Sequence, residues 1–329
     1  MPRDAAEAGG VLFVHAHPDD ECMSTGGVIA RSVAEGRRVD LVTCTNGEEG
    51  EIHDPQLDPE EAQPRLKQIR LAELAASLEA LGGGAIRHHL LGYHDSGMMG
   101  TDANARPEAF WNVDLEEPIE RVVRLIRDAR PTAVVTYDSN GNYGHPDHIN
   151  AHRVAVGAWE AAADASRFPE AGPAYEVPKL YEIAFNRDAW FAMMEQMKSR
   201  GIPLPWDFDE ALEGAASGEA TEAATGSEAA TGSEASVGSE AADQPENWME
   251  SFGTPDAEIT TRIDVSAFAD PKRASMAAHR TQRQDLGWLL ELPPDIQERA
   301  LSPEHFVLTR WRGHDVSSEL REDSFWSGL

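Results

Sequence analysis

Two short segments of this chain place histidine and carboxylate side chains around a proline. Residues 15–21 read His-Ala-His-Pro-Asp-Asp-Glu, and residues 145–148 read His-Pro-Asp-His. Imidazole nitrogens and carboxylate oxygens are the usual ligands of Zn²⁺ in proteins when cysteine is not used. Two such segments in one chain are stronger evidence for a metal site than either segment alone.

Each segment follows an apolar run that is typical of a buried strand. Residues 11–14 precede the first segment and residues 133–137 precede the second. Pro18 cannot continue a central strand, so the chain has to turn there, whereas Pro146 suits the first position of a helix. We therefore expect both segments to lie in loops at the carboxyl ends of strands.

The chain alternates between strand patterns and helix patterns up to about residue 205. Further strands are predicted at 39–45, 85–91, 180–184 and 259–265, and helices at 26–35, 65–81, 118–129, 151–163, 188–200 and 271–282. Irregular structure is expected after residue 282. The alternation predicts an α/β fold with a Rossmann-like, mostly parallel sheet covered by helices on both faces, plus a smaller C-terminal α+β portion. Ligands of such sheets bind beyond the carboxyl ends of the strands.

Composition divides the chain into three regions. Residues 1–205 are predicted to form an α/β catalytic core, 206–253 an acidic insert, and 254–329 a portion that completes the same domain. Residues 213–246 contain no aromatic residue, lysine or arginine, and repeat Gly-Ser-Glu at six-residue intervals. Because such a segment cannot bury enough apolar surface to fold, we predict that it is disordered.

Charge and cysteine content exclude several classes of protein. The chain has 58 acidic and 28 basic residues, a net charge of −30, which excludes nucleic acid and anionic membrane surfaces as partners. Two cysteines are too few for a disulfide framework, and the N-terminus lacks the apolar segment of a signal peptide. We therefore expect a cytoplasmic protein of undetermined oligomeric state. An acidic, lysine-poor composition is also typical of proteins adapted to high salt.

The sequence resembles the PIG-L/LmbE-like family of zinc-dependent N-deacetylases. Residues 17–21 match the first motif of that family and residues 145–148 match the second. More narrowly, the mycothiol-pathway deacetylase of N-acetylglucosaminyl-inositol and the mycothiol S-conjugate amidase resemble this chain at 43–51, 95–98 and 136–144. The resemblance spans about 11–187 and returns weakly at 277–282.

The resemblance implies a metal site and a general base. His17, Asp20 and His148 would bind one Zn²⁺ per chain, with Fe²⁺ as the alternative ion, and would leave one coordination position for water. Asp19 would take a proton from that water. His15 is predicted to point away from the ligands, because side chains alternate in direction along a strand.

Five further residues are assigned by the resemblance. His145 would act as general acid or stabilise the developing oxyanion, and Asp147 would orient it. Tyr143 would donate a hydrogen bond to the same oxyanion. Arg70 and Asp95 would bind hydroxyl groups of the substrate.

The implied reaction is removal of the acetyl group from an N-acetylglucosamine-type sugar conjugate. The length of the loop at 24–26 favours the deacetylase over the alternative, a mycothiol S-conjugate amidase or related thiol-conjugate hydrolase.

A catalytically silent sugar-binding module is the alternative from another class, although Asp19 and His145 are both present. The spacing from His15 to Asp20 also approaches the metallo-β-lactamase pattern, whose sandwich of sheets disagrees with the strand–helix alternation. The expected partner is a small-molecule N-acetylated sugar or thiol conjugate.

Overall fold

The structure is a computed structural model that describes residues 9–204, 253–317 and 319–329, without the side chains of 284–286. The insert predicted at 213–246 lies outside the described residues. The chain divides into two compact units, one of residues 1–186 with 254–329 and the other of residues 187–253. The described part of the second unit is mainly a helix, Arg187–Ser199. The domain boundaries expected after residues 205 and 253 stay predictions.

Seven strands of the described residues form one sheet. They are β1 (Gly10–His15), β2 (Arg38–Thr45), β3 (Ile86–Tyr93), β4 (Ala133–Thr136), β5 (Lys179–Ala184), β6 (Thr261–Ile263) and β7 (Glu304–Trp311). The strand order is β3-β2-β1-β4-β5-β7-β6. The first five strands pair in parallel, and β7 pairs antiparallel with both β5 and β6. The prediction of a mostly parallel α/β sheet is therefore confirmed.

The helices fill the connections between strands. In chain order they are α1 (Asp20–Ser24), α2 (Gly26–Ala34), α3 (Pro59–Ala62), α4 (Leu66–Leu81), α5 (Glu116–Ala129), α6 (Gly141–Gly144), α7 (Pro146–Ala163), α8 (Arg187–Ser199), α9 (Ala269–Ala278), α10 (Arg283–Leu290) and α11 (Pro294–Leu301). Helices α2, α4 and α9 pack together, and α5 packs against α7. None of the helices in the described part of the chain is long and apolar enough to cross a bilayer.

Burial explains why the central strands read as continuous apolar runs. All six residues of β1 are buried, because the strand lies between β2 and β4 and has helices on both faces. Helix α5 buries one stripe at helical spacing, with Val122, Val123 and Ile126 inaccessible to solvent. The apolar core therefore surrounds the strands that carry the two histidine segments.

The strand order reverses between β1 and β4. From β1 the chain moves outward through β2 to β3, and it then returns to place β4 on the other side of β1. At such a reversal the loops that follow the two neighbouring strands diverge and leave a crevice, which is where ligands bind in open α/β sheets. Both histidine segments follow these two strands.

The prediction that the chain is irregular after residue 282 is wrong. That stretch contains α10, α11 and β7, and β7 joins the main sheet beside β5. Strand β7 alternates buried Phe306 and Leu308 with partly exposed neighbours, a period-two pattern that was present in the sequence. The strand expected at 259–265 is shorter, and the helix expected at 271–282 runs from Ala269 to Ala278.

Candidate metal centre and active site

The two histidine segments meet at the carboxyl ends of β1 and β4. The first segment turns at Pro18 into α1, which begins at Asp20. The second enters α7 with Pro146 at its first position and with His145 as the N-cap, whose Nδ1 accepts the Asp147 N–H at 3.1 Å. Proline lacks one of the N–H groups that have no partner at a helix start, and the accepting side chain satisfies another.

The structure brings His17, Asp20 and His148 together. Nδ1 of His17 lies 3.2 Å from Nε2 of His148 and 3.4 Å from Oδ2 of Asp20. The same Nε2 of His148 lies 3.4 Å from Oδ1 of Asp20. Ligands held at about 2.1 Å from a tetrahedral ion are about 3.4 Å apart, so this donor set and spacing fit a divalent cation such as Zn²⁺. The three side chains thus form a candidate metal site.

Asp147 holds His17 in the orientation that such a site needs. Its fully buried carboxylate accepts the Nε2–H of His17 at 3.2 Å, which leaves Nδ1 as the donor atom facing His148. The carboxylate also accepts the N–H of Ser96 at 2.9 Å and a short hydrogen bond from its hydroxyl. A carboxylate behind a ligating imidazole fixes its tautomer and raises its basicity. The sequence predicts that Asp147 orients His145, but the hydrogen bond between these two residues comes from the Asp147 backbone N–H and not from its carboxylate.

Charges around the cluster shift the pKa values of its members in opposite directions. Burial lowers the pKa of His17, but Asp95, Asp147 and Asp20 outweigh it and raise the pKa well above its usual value. For Asp20, burial is outweighed by His148 and His17, which hold its pKa well below the usual range. Burial lowers the pKa of His148 to about 4, against the opposing effect of Asp20. Asp20 therefore stays ionised and His148 stays neutral, as metal ligands must be, whereas His17 has to lose a proton before Nδ1 can bind a metal.

His145 lies beside the cluster. Its ring centroid is 4.6 Å from that of His17, and one ligand nitrogen from each of His17, His145 and His148 lies within 4.8 Å of the others. Burial, reinforced by the two neighbouring histidines, lowers the pKa of His145 to about 2. The side chain is therefore neutral and retains Nε2 for a further contact.

Asp19 precedes α1 and is ion-paired with Arg70. Nη2 of Arg70 lies 2.9 Å from Oδ2 of Asp19 and donates to the Pro18 carbonyl at 2.6 Å, while Nη1 donates to the Gly47 carbonyl at 2.9 Å. Burial raises the pKa of Asp19 to about 7, with Arg70 opposing the rise and Asp20 adding to it. The guanidinium expected to bind substrate hydroxyls thus contacts Asp19 and the backbone, and its substrate role stays a prediction.

Asp95 lies beside His17, whereas Tyr143 lies beside His145 and His148. Oδ1 of Asp95 is 3.7 Å from Nε2 of His17, and the side chain is buried. Tyr143 is 60% exposed, with its ring centroid 5.0 Å from that of His148 and 6.1 Å from that of His145. His15 lies outside the cluster, where Nε2 donates to the Thr25 hydroxyl at 2.9 Å.

Comparison with known proteins identifies the family. Residues 12–159 match the family model PIG-L, described as GlcNAc-PI de-N-acetylase. A protein of Catenulispora acidiphila named 1D-myo-inositol 2-acetamido-2-deoxy-alpha-D-glucopyranoside deacetylase 1 is 39% identical over 98% of this chain and 91% of its own length. This chain belongs to the PIG-L family. A relative from Geodermatophilus obscurus, named as the same deacetylase, is 41% identical over 97% of both chains.

Solved structures share the fold of this PIG-L protein at low sequence identity. The N,N'-diacetylchitobiose deacetylase of Pyrococcus horikoshii has a TM-score of 0.52 and 16% identity, covering 91% of this chain and 83% of its own. GalB of Pseudomonas putida, a 4-carboxy-2-hydroxymuconate hydratase, has a TM-score of 0.54 and 17% identity, covering 94% and 99%. Because a deacetylase and a hydratase share this architecture, the fold alone does not decide the reaction.

Sequence reasoning missed several residues that support the PIG-L site. Tyr137 stacks on His148 with ring centroids 4.2 Å apart, and its hydroxyl accepts the Ala16 N–H at 2.8 Å. Ser96 holds Asp147, and Glu21 accepts the Asp19 N–H at 2.9 Å. Tyr137, Ser96 and Glu21 all lie within the motifs on which the resemblance rests. The sequence therefore indicates that they belong to the site, but it does not show which residues they contact.

Proposed function

We propose that this chain is a metal-dependent N-deacetylase that hydrolyses the acetamide of N-acetylglucosaminyl-inositol. The observation that carries the proposal is the convergence of His17, Asp20 and His148, with the Asp19 carboxylate on the residue next to Asp20. Relatives named for this deacetylation align with nearly the whole chain, which supports the choice of substrate.

The proposed metal is one Zn²⁺ per chain, with Fe²⁺ as the alternative. His17, Asp20 and His148 would hold it, since two imidazoles and one carboxylate form a donor set that leaves a coordination position open. His17 would lose its Nδ1 proton when the ion binds. A divalent ion held there would polarise the amide carbonyl and lower the pKa of a water molecule.

Asp19 is proposed as the general base. Its carboxylate belongs to the residue that precedes the ligand Asp20, so a water near the ligands lies within its reach. Arg70 contacts Oδ2 at 2.9 Å and restricts the carboxylate to one direction. A positioned base of this kind accounts for roughly 10² to 10⁴ in rate.

His145 and Tyr143 are proposed to act on the other side of the amide. His145 is neutral and is fixed by the hydrogen bond from the Asp147 backbone N–H to Nδ1, so its Nε2–H is proposed to donate a hydrogen bond to the developing oxyanion. The proton that Asp19 takes from water is then available to the leaving amine. Tyr143 contacts both histidine rings and is exposed, which suits a hydroxyl that meets the developing oxyanion once substrate is present. Asp147 acts through His17 and not on the substrate.

Asp95 is proposed to bind a sugar hydroxyl. Its carboxylate is buried beside His17 and already accepts the Gly97 N–H at 2.8 Å, so its direction is fixed. Arg70 is also proposed to bind a substrate hydroxyl. It would use N–H groups other than those that contact Asp19 and the backbone carbonyls.

Hydrolysis of three amides tests the proposal. Purified protein should release acetate from N-acetylglucosaminyl-inositol with a higher kcat/KM than from N-acetylglucosamine. A mycothiol-type S-conjugate, assayed by release of its amine, should be the poorer substrate. Preference for the S-conjugate would favour the amidase alternative, and binding of the sugars without turnover would favour the silent binding module.

A further inference from the structure

A buried carboxylate behind the active site connects Asp19 to the C-terminal part of the same unit. Glu21 is 1% exposed and uses both of its oxygens. Oε2 accepts the backbone N–H of Asp19 at 2.9 Å. Oε1 accepts the Ser77 hydroxyl at 2.5 Å and Nε2–H of His279 at 2.7 Å.

Glu21 and its two side-chain partners come from three separate elements. Glu21 belongs to α1, Ser77 to α4, and His279 follows the last residue of α9. The Ser77 and Ser275 hydroxyls are 2.6 Å apart, which adds a second link between α4 and α9. His279 is 1% exposed, and Glu21 outweighs the effect of burial and raises its pKa. The carboxylate is therefore fixed by elements far apart in the sequence.

Asp19 needs such support because its backbone conformation is uncommon. Its φ of 121° and ψ of −28° lie outside the regions that residues other than glycine ordinarily adopt. Conformations of this kind persist only where the surroundings determine them. Glu21 holds the N–H of Asp19, while the Cys22 N–H donates to its carbonyl at 3.0 Å.

We propose that Glu21 and His279 are positioning residues for Asp19. The proposal rests on the proposed function, in which Asp19 is the general base. Glu21 fixes the peptide that aims the Asp19 carboxylate, and His279 fixes Glu21. Arg70, in α4, forms an ion pair with the carboxylate itself. Glu21 therefore holds the backbone of Asp19, and Arg70 holds its side chain.

Substitutions at the two residues separate positioning from packing. Glu21→Gln preserves the shape but leaves one acceptor in place of two, so either the Asp19 N–H or the His279 donor loses its partner. We expect kcat on N-acetylglucosaminyl-inositol to fall about 10- to 100-fold with KM within about twofold, because small displacements of a reacting group cost this much. Metal content should stay equal to that of the unsubstituted chain.

His279 allows a rescue test. His279→Ala removes the donor and should lower kcat by about tenfold, whereas His279→Gln places an amide nitrogen near the Nε2 position and should recover most of the rate. A thermal melt of each variant shows whether it folds. If His279→Ala does not fold, the kcat values of Glu21→Gln and His279→Gln still decide the proposal, because only Glu21→Gln should have a strongly lowered kcat.

Glu304 provides the matched control. It is also a buried glutamate, and its carboxylate accepts hydrogen bonds from the backbone N–H groups of Gly27 and Val28, both at 2.8 Å. It also accepts a hydrogen bond from Nζ of Lys272 in α9 at 2.7 Å. Glu304→Gln should lower the melting temperature and leave kcat within about twofold.

The outcomes are distinct. Normal kcat in folded Glu21→Gln, or an equal fall of kcat in Glu304→Gln, would overturn the positioning roles. An unsubstituted chain that releases no acetate would instead refute the proposed function.

Discussion

At the scale of single residues, two neighbouring carboxylates are placed in different environments. His17 and His148 face Asp20 and hold its pKa well below the usual range, whereas burial raises the pKa of Asp19 to about 7. Different environments give carboxyl groups different roles at one pH. Together with the contacts of Asp20 with His17 and His148, these environments support the proposed roles of Asp20 as a ligand and Asp19 as the base.

Removing the carboxylate of Asp19 tests this division. Asp19→Asn keeps the shape and the contact region of Arg70 but cannot accept a proton, so kcat should fall by at least about 10² while the metal remains bound. The measurement is acetate release together with metal content. Asp20→Asn is the matched control and should lose metal as well as activity. Near-normal turnover of Asp19→Asn would remove Asp19 from the role of base.

Substitution of Asp147 tests whether its carboxylate supports the proposed metal site. Asp147→Asn weakens the hydrogen bond that fixes His17, so metal affinity should fall about 10- to 100-fold. Competition with a chelator measures this affinity. Asp164→Asn, at an exposed turn, should leave affinity unchanged. Equal affinity in the two variants would show that Asp147 does not support the metal.

At the scale of elements, the site depends on the reversal of strand order between β1 and β4. Alternating apolar runs and turn residues predicted most strands and helices and the loops that carry the ligands. The contact of Asp147 with His17 could not be predicted, because it depends on how α7 packs beside β1. Strand β7 was missed although Phe306 and Leu308 alternate with partly exposed residues, since its partner β5 lies more than a hundred residues away.

The buried pair of Lys179 and Glu322 tests how the C-terminal segment is attached to β5. Nζ lies 2.6 Å from Oε1 of Glu322, which also accepts the Tyr181 hydroxyl at 2.7 Å through its other oxygen. Lys179→Met leaves a buried charge unpaired and should lower the free energy of unfolding by about 3–5 kcal/mol. Arg31→Ala, at the exposed pair with Glu35, should change it by less than about 1 kcal/mol.

Chemical denaturation measures both values. A change below about 1 kcal/mol in Lys179→Met would show that this pair does not stabilise the attachment of the C-terminal segment.

At the scale of the whole molecule, the net charge of −30 predicts sensitivity to salt. Self-repulsion among acidic side chains is screened at high ionic strength, where the Debye length falls to about 3 Å at 1 M. We expect the melting temperature to rise in molar KCl relative to dilute buffer. Equal melting temperatures in KCl and dilute buffer would refute adaptation to high salt, and sucrose at matched osmolality controls for preferential exclusion.

The central claim is that two loops distant in the sequence share one metal ion. Metal content per chain, measured on purified protein and on His148→Ala, tests it most directly. The account predicts about one equivalent of zinc or iron in the unsubstituted chain and a loss of most of it in folded His148→Ala. A full equivalent retained by His148→Ala would contradict the claim.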